Sequence, residues 1–117
     1  MIEKKMEIGN LYAFYGQLLT DNQKKMIELY IYEDLSLGEI SENLHISRQA
    51  IYDSIKRSQN ILQNYEEKLS LIYKFEMNED ELKEISNDIK EIQNSIDDKR
   101  LNEIFADIIN RVNRLMD

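Results

Sequence analysis

Residues 36–57, SLGEISENLHISRQAIYDSIKR, contain two short helical patterns separated by a three-residue turn. Ser36 is followed three residues later by Glu39, the spacing of a capping box, which predicts a helix start. His45 stands where such turns usually carry glycine, and histidine tolerates the left-handed backbone conformation better than most side chains. Ser47 is positioned to cap the second helix. The stretch therefore predicts a helix, a turn and a second helix.

The spacing of small and apolar residues in this stretch is typical of a helix-turn-helix motif. The small residue Ser41 occupies the predicted contact between the two helices, and the turn residue follows four positions later. A further plug position carries Ser54, which is polar, so we expect looser packing there or a shift to Ile55. The apolar plugs between the helices are Ile40, Leu44, Ile46 and Ile51.

The start of the second helix enters the major groove of DNA in proteins built this way. Arginine suits guanine, glutamine suits adenine, and tyrosine can touch a thymine methyl group or a phosphate. Lys56 and Arg57 suit the phosphate backbone, whereas Asp53 disfavours phosphate but can accept a hydrogen bond from cytosine. The alternative is the solvated face of an ordinary helix. The predicted DNA-binding residues are Ser47, Arg48, Gln49, Tyr52, Asp53, Lys56 and Arg57.

Two helices are predicted before this stretch. Residues 10–19, NLYAFYGQLL, have apolar side chains at three- and four-residue spacing, which predicts one wide helix face. That face consists of Leu11, Tyr12, Phe14, Tyr15, Leu18 and Leu19. Thr20 and Gln23 then predict a capping box at the start of the next helix. The buried stripe of that helix is Met26, Ile27, Tyr30 and Ile31.

The helix capped by Ser47 is predicted to cover residues 48–75, with an inward face of Ile51, Ile55, Leu62, Tyr65, Leu69 and Ile72. Asn78 followed by Glu81 predicts another helix start. The helix after it has a heptad stripe of Leu82, Ile85, Ile89, Ile92 and Ile96. The spacing then slips, which predicts a break near Asp98. The final predicted helix carries Leu101, Ile104, Phe105, Ile108, Val112 and Leu115.

These elements predict an all-α protein with two parts. Residues 1–75 form a helix-turn-helix domain of four helices, and residues 76–117 form an acidic helical extension. Isolated helices of this length are marginal in water, so the apolar stripe of the extension must bury itself. It can fold back over Tyr65, Leu69 and Ile72 or pair with a second chain. We expect the pair, a homodimer through the carboxyl-terminal helices.

Proline and cysteine are absent from the 117 residues. No proline is therefore present to interrupt a long helix. The absence of cysteine excludes disulfides and thiolate metal sites, which suits a reducing cytoplasm. No apolar run approaches the roughly 20 residues that span a bilayer. The amino terminus, MIEKKMEIGN, is charged and lacks the apolar core of a secretory signal. We expect a cytoplasmic protein that does not insert into membranes.

The formal net charge of -8 is unevenly distributed. Residues 36–75 carry five acids and five bases, whereas residues 76–117 carry twelve acids and six bases. Affinity for nucleic acid depends on basic groups that displace counterions. Binding to DNA would therefore depend on contacts from a few specifically positioned residues. The acidic extension favours a basic partner.

No pattern predicts catalysis or a bound cofactor. A phosphate loop, a nucleophile motif and a calcium loop are not recognisable in the sequence. His45 as a metal ligand or pH switch is an alternative to its role in the turn, but no second ligand is spaced to join it. Tyrosines at helical spacing could form a base-stacking platform but are more typical of a core; they are Tyr12, Tyr15, Tyr30 and Tyr32. We expect no enzymatic activity, no metal and no cofactor.

The run from residue 19 to residue 57 resembles region 4 of bacterial sigma factors, through SLGEI and ISR. Residues 14–75 resemble more closely the YlxM-type family of small bacterial helix-turn-helix proteins. The elements that carry this resemblance are FYGQLLT, DLSLGEIS, SRQAIYDSIKR and YEEKL. Genes of that family lie beside those of the GTPase and receptor of the signal recognition particle. The resemblance thus implies a regulator or accessory factor of that pathway.

Two functions follow as hypotheses. The first is a regulator that reads double-stranded DNA with the helix that starts at Ser47. The second is an accessory factor that binds the GTPase of the signal recognition particle, or its RNA, on the same scaffold without reading DNA. The residues on the predicted reading face favour the first hypothesis, and the acidic extension favours the second.

Overall fold

The computed structural model describes residues 2–116, and the side chains of residues 4–116. Within these residues the protein is all-α, without strands. The helices are α1 (Ile2–Tyr15), α2 (Asp21–Ile31), α3 (Leu37–Leu44), α4 (Arg48–Leu69), α5 (Leu71–Ser95) and α6 (Lys99–Met116), with a short 3-10 helix at Gly16–Leu18. The chain divides into two compact units, Met1–Ile72 and Tyr73–Asp117.

Both predicted capping boxes are present. The Gln23 backbone N–H donates to Thr20 Oγ1 at 3.3 Å, and the Thr20 N–H donates to Gln23 Oε1 at 2.9 Å. At the start of α3 the Glu39 N–H donates to Ser36 Oγ at 3.1 Å, and the Ser36 N–H donates to Glu39 Oε1 at 3.2 Å. Each box satisfies two backbone groups that a helix end would otherwise leave without a partner. The sequence therefore predicts the starts of α2 and α3 correctly.

The core of the first unit lies around α4, because α1, α2 and α3 all contact that helix. Ile27, Ile40, Ile51 and Leu62 are fully buried there, one from each of α2 and α3 and two from α4. The first helix begins well before the predicted apolar segment and adds Ile8 to the core. Removing these side chains from water supplies the main favourable free energy of folding.

In the first unit, three residues of the predicted apolar helix faces are exposed, so these faces were predicted too wide. Phe14 and Leu18 lie outside the core, because α1 ends at Tyr15 and the chain tightens into the 3-10 helix. The tightening needs a glycine at position 16, where a Cβ atom would lie 2.8 Å from the Tyr12 ring. Leu69 is 45% exposed at the last position of α4.

The predicted continuous helix over residues 48–75 is wrong. It ends at Leu69, because Ser70 adopts the left-handed conformation with φ of 54°. The Tyr15 hydroxyl donates to Glu66 Oε1 at 2.5 Å and accepts from the Leu71 N–H at 3.1 Å. Glu66 Oε1 also accepts from the Ile72 N–H at 3.0 Å. Two side chains thus accept hydrogen bonds from the first turn of α5, and these bonds, one of them from distant Tyr15, favour the break.

Hydrogen bonding and burial change the acidity of two tyrosines in this unit. Burial, together with the hydrogen bond that its hydroxyl donates to the Glu28 carboxylate, raises the pKa of Tyr12 to about 12. Burial also raises the pKa of Tyr15, and its hydrogen bond to Glu66 acts in the same direction. Both hydroxyls are therefore neutral donors near neutral pH.

The second unit contains an antiparallel pair formed by most of α5 and all of α6. Phe75 and Leu82 line one cleft together with Leu115, so the start of α5 lies beside the end of α6. The predicted break near Asp98 is confirmed, since α5 ends at Ser95 and α6 begins at Lys99. At the turn, the Asn102 side-chain amide donates to the Ile96 carbonyl at 3.3 Å.

The predicted helix start at Asn78 is wrong, because α5 passes through that position without interruption. The predicted heptad stripe, which runs along α5 and ends at Ile96 just after it, divides into two sets. Leu82, Ile89 and Ile96 are partly buried, whereas Ile85 and Ile92 are 40% and 43% exposed. None of the helices described over residues 2–116 is long and apolar enough to cross a membrane.

Candidate nucleic-acid interface

The turn between α3 and α4 has the predicted geometry. His45 has φ of 57° and ψ of 40°, and its backbone N–H donates to the Ser41 carbonyl. The Ile46 N–H donates to the same carbonyl at 3.3 Å, and the Ser41 hydroxyl donates to the Ile46 carbonyl. Ser47 Oγ accepts from the Ala50 N–H at 3.1 Å and caps α4. Hydrogen bonds from residues on both sides of the turn thus determine the orientation of α4 relative to α3.

The apolar plugs fill the angle between these helices with one exception. Ile40 and Ile51 are fully buried, and Ile55 is buried where Ser54 could not supply an apolar side chain. The expected shift of packing to Ile55 is therefore confirmed. Ile46 is 37% exposed, so its prediction as a plug is wrong. Ile46 contributes to the turn through its backbone, whose N–H donates to the Ser41 carbonyl and whose carbonyl accepts from the Ser41 hydroxyl.

All seven predicted DNA-binding residues are exposed on the first part of α4 or at its cap. Two of them are bonded to each other, since the Gln49 side-chain amide donates to Asp53 Oδ1 at 2.9 Å. This bond uses one hydrogen of the Gln49 side-chain amide, so the other amide hydrogen and the carbonyl oxygen remain for further hydrogen bonds. Those two groups are what a glutamine needs for the paired hydrogen bonds with adenine.

The Arg48 side chain does not extend straight outward, because its guanidinium lies against Gly38 near the start of α3. A Cβ atom at position 38 would lie 3.0 Å from the nearest guanidinium nitrogen. The absence of a side chain at position 38 therefore leaves space for the Arg48 guanidinium. The guanidinium lies where the first helix of such a motif crosses the DNA backbone.

Tyr52, Lys56 and Arg57 divide between two sides of α4. Tyr52 and Lys56 line a cleft with Lys4 of α1 and Gln59 of α4. Arg57 lines a different cleft, together with Asn60 and Glu67. Lys4 and Gln59 were not predicted from the sequence as members of this surface. Gln59 lies four residues after Ile55 and three before Leu62, a spacing that indicates the buried face.

No group of three or more histidine, cysteine or acidic side chains that could hold a metal ion occurs in the described part of the chain. His45 is an exposed residue of the turn. The arrangement offers hydrogen-bond donors, one carboxylate and three cations on α4, which are groups that contact base edges and phosphates.

Comparison with known proteins identifies the family. The family model UPF0122, described as "Putative helix-turn-helix protein, YlxM / p13 like", matches residues 2–108. A UPF0122 protein of Limosilactobacillus reuteri is 46% identical over 103 residues, which cover 88% of this chain and 89% of the relative. One from Acetivibrio thermocellus is 45% identical over 111 residues, covering 95% and 92%. One from Halalkalibacterium halodurans is 47% identical over 85 residues, covering 73% and 78%.

The matched residues include the complete turn between α3 and α4, and the described residues are all-α, which is consistent with the helix-turn-helix description. On this evidence the chain belongs to the UPF0122 family of YlxM/p13-like helix-turn-helix proteins.

Proposed function

We propose that this protein is a regulator that binds double-stranded DNA and inserts the start of α4 into the major groove. The observation that carries the proposal is the turn at His45, which is fixed by backbone and serine hydrogen bonds and leaves the start of α4 exposed. Because these bonds already hold the start of α4 in place, less conformational entropy is lost when α4 binds DNA.

Each exposed residue has a role in this proposal. Gln49, oriented by Asp53, reads adenine, and Arg48 reads guanine after its guanidinium moves away from Gly38. Lys56 and Arg57 contact phosphates on the two sides of the helix. Because the first unit has no excess of positive charge, specific contacts must supply most of the affinity.

Substitutions on α4 test this proposal. Replacing Arg48 with alanine should cost about 1–3 kcal/mol of binding free energy and relax the base preference at one position, since a bidentate contact with guanine is lost. Replacing Lys56 with alanine should weaken binding to all sequences alike and lower the salt dependence. Selection from a random DNA pool at low salt, followed by titration of the enriched sequence, measures both effects.

Lys68→Ala is the matched control, because Lys68 is an exposed lysine in the last turn of the same helix. Its binding should equal that of the unmodified protein. If the pool yields no enriched sequence even at low salt, the protein is not a sequence-specific regulator.

The second candidate function is that of an accessory factor of the signal recognition particle, which the acidic second unit favours. Exposed carboxylates along α5 present a negatively charged surface to a basic partner. We propose the particle's GTPase, free or bound to its RNA, as that partner, on the basis of the family resemblance.

Amide substitutions in the full chain test this partner. Glu84→Gln, Asp88→Asn and Glu91→Gln together should weaken capture of the GTPase and reduce its salt sensitivity, because three exposed negative charges are removed. The control removes the same charge from exposed positions in the first unit, with Glu33→Gln, Glu42→Gln and Glu67→Gln. Equal capture by both variants excludes the acidic face of α5, and no capture at low salt excludes the partner.

We also propose that two chains pair through their second units. Ile85 and Ile92 lie seven residues apart on α5, and Leu101 and Ile104 lie on α6, all at least 40% exposed. A heptad spacing is the pattern by which helices pack against other helices. A second copy of the hairpin would cover these side chains in a four-helix arrangement and hold two copies of α4 for a two-fold symmetric DNA site.

Replacing Ile85 and Ile92 with lysine should convert the dimer to a monomer, because two charges would be placed in an apolar interface. Asn87→Lys with Asn94→Lys is the control, since these exposed residues have the same spacing on the same helix and the same added charge. Light scattering gives the mass of each protein. An unmodified chain that is monomeric at high micromolar concentration contradicts the dimer.

A further inference from the structure

A small cleft in the first unit combines positive charge with a largely buried glutamine. Its volume is about 110 Å³, and side chains from all four helices α1 to α4 line it. The polar lining consists of Lys4, Tyr30, Tyr52, Lys56 and Gln59, and the apolar lining of Ile8, Leu37 and Ile55. No carboxylate is part of this lining among the described side chains, in a chain whose net charge is -8.

Gln59 is the most informative member of the lining. It is only 7% exposed as a residue and lines the cleft, and its side-chain amide makes no hydrogen bond to another described residue. A glutamine amide offers two hydrogen-bond donors and one acceptor, which water or a ligand in the cleft can use. The amide therefore adds uncharged donors to the positively charged lining of the cleft.

The two lysines of the cleft form no ion pair within the described residues. Lys5, beside them on α1, is engaged elsewhere, since its ammonium group lies 2.7 Å from the Asp34 carboxylate and 4.4 Å from the centre of the Tyr30 ring. Lys4 and Lys56 remain available for an external anion. Their charges lie on two different helices that meet at the cleft.

The neighbouring clefts lack this charge selectivity. The one beside Arg57 contains Glu67, and the one beside Lys5 contains Asp34. A third cleft between α1 and α4 is acidic, with Glu7 and Glu66 in its lining. Positive charge that no lining carboxylate balances is therefore confined, among these clefts, to the one that contains Gln59.

We propose that this cleft binds a single phosphate group. Two ammonium groups supply charge-assisted hydrogen bonds, and the amide of Gln59 and the tyrosine hydroxyls supply further donors. The volume is well below the roughly 300–1,000 Å³ of sites for larger organic ligands, so it suits one phosphate and not a whole nucleotide.

The phosphate belongs to the DNA backbone if the proposed function holds, and this assignment rests on that function. Tyr52 and Lys56 are already placed on the reading helix, and the cleft adds Lys4 of α1 to the same contact. Lys4 would then fix the position of the DNA backbone beside α4, so that α1 takes part in binding. A free phosphate is the other source of the same chemistry.

The first arm of the test measures DNA binding by the full chain with Lys4→Gln, with Lys68→Gln as control. Loss of one phosphate contact lowers the slope of log affinity against log salt by about 0.9, which corresponds to roughly eightfold weaker binding at 0.1 M salt. We expect this loss for Lys4→Gln with every DNA sequence and no change for Lys68→Gln.

The second arm needs no DNA. Inorganic phosphate is added while the NMR signal of the Gln59 side-chain amide is followed, with sodium chloride at equal ionic strength as control. A saturable shift with phosphate that is lost in Lys4→Gln supports the cleft, even if DNA is not bound and the proposed function fails. If DNA binds but both lysine variants behave alike and phosphate causes no shift, the cleft proposal is wrong and DNA reading stands. The absence of both effects, or an equal shift with chloride, also overturns the cleft proposal.

Discussion

Replacing Ile51 with alanine should lower the free energy of unfolding by about 2–5 kcal/mol, the range for truncating a fully buried isoleucine. Ile51 has no exposed surface and lies in the core cluster, with Ile27 and Ile40, where α4 packs against the preceding helices. The truncation leaves a cavity that a helix anchored at both ends cannot close easily. Urea unfolding followed by circular dichroism measures the change.

Ile46→Ala is the matched control, since it removes the same atoms from the neighbouring turn. Ile46 is 37% exposed, so its truncation should cost less than half as much as that of Ile51. Equal losses for the two variants would mean that Ile46 does fill the angle between α3 and α4, as its position in the motif predicts. The burial described for the turn would then be wrong.

The sequence predicted the region around the turn well because the signals there are local. A capping box joins residues three positions apart, and a left-handed residue after a helix is selected by its own backbone conformation. The local structure at Ser36, His45 and Ser47 is therefore determined by residues only a few positions away.

The end of α4 could not be predicted in this way. Its apolar spacing continues through Leu69 and Ile72, and no proline or glycine marks the break at Ser70. The bonds that favour the break come from Tyr15, which is more than fifty residues earlier in the chain. Such a contact exists only after α1 has packed against α4.

The candidate site shows the same division between local and distant information. The exposed residues of α4 follow from helical periodicity, and all seven have the predicted exposure. The position of Arg48 against Gly38, and the placement of Lys4 and Lys56 around one cleft, depend on how separate helices pack. Spacing within one helix carries no information about either arrangement.

Tyr15→Phe should accelerate hydrogen exchange of the Leu71 backbone amide by at least roughly tenfold, the change expected when a buried hydrogen bond is lost. In the unmodified chain this amide donates to the Tyr15 hydroxyl at 3.1 Å, and the same hydroxyl donates to Glu66 at 2.5 Å. Phenylalanine keeps the ring in the core but removes both bonds. The first turn of α5 then loses one of the side-chain acceptors for its N–H groups.

Tyr65→Phe provides the control, because the Tyr65 ring stacks on that of Tyr15 with centroids 6.0 Å apart. Its hydroxyl makes no hydrogen bond within the described residues, so the same change should leave exchange at Leu71 unaltered. If the two variants exchange alike, the Tyr15 hydroxyl does not hold the start of α5. The break at Ser70 would then depend on the left-handed backbone of that residue and on the bond from the Ile72 N–H to Glu66, and not on Tyr15.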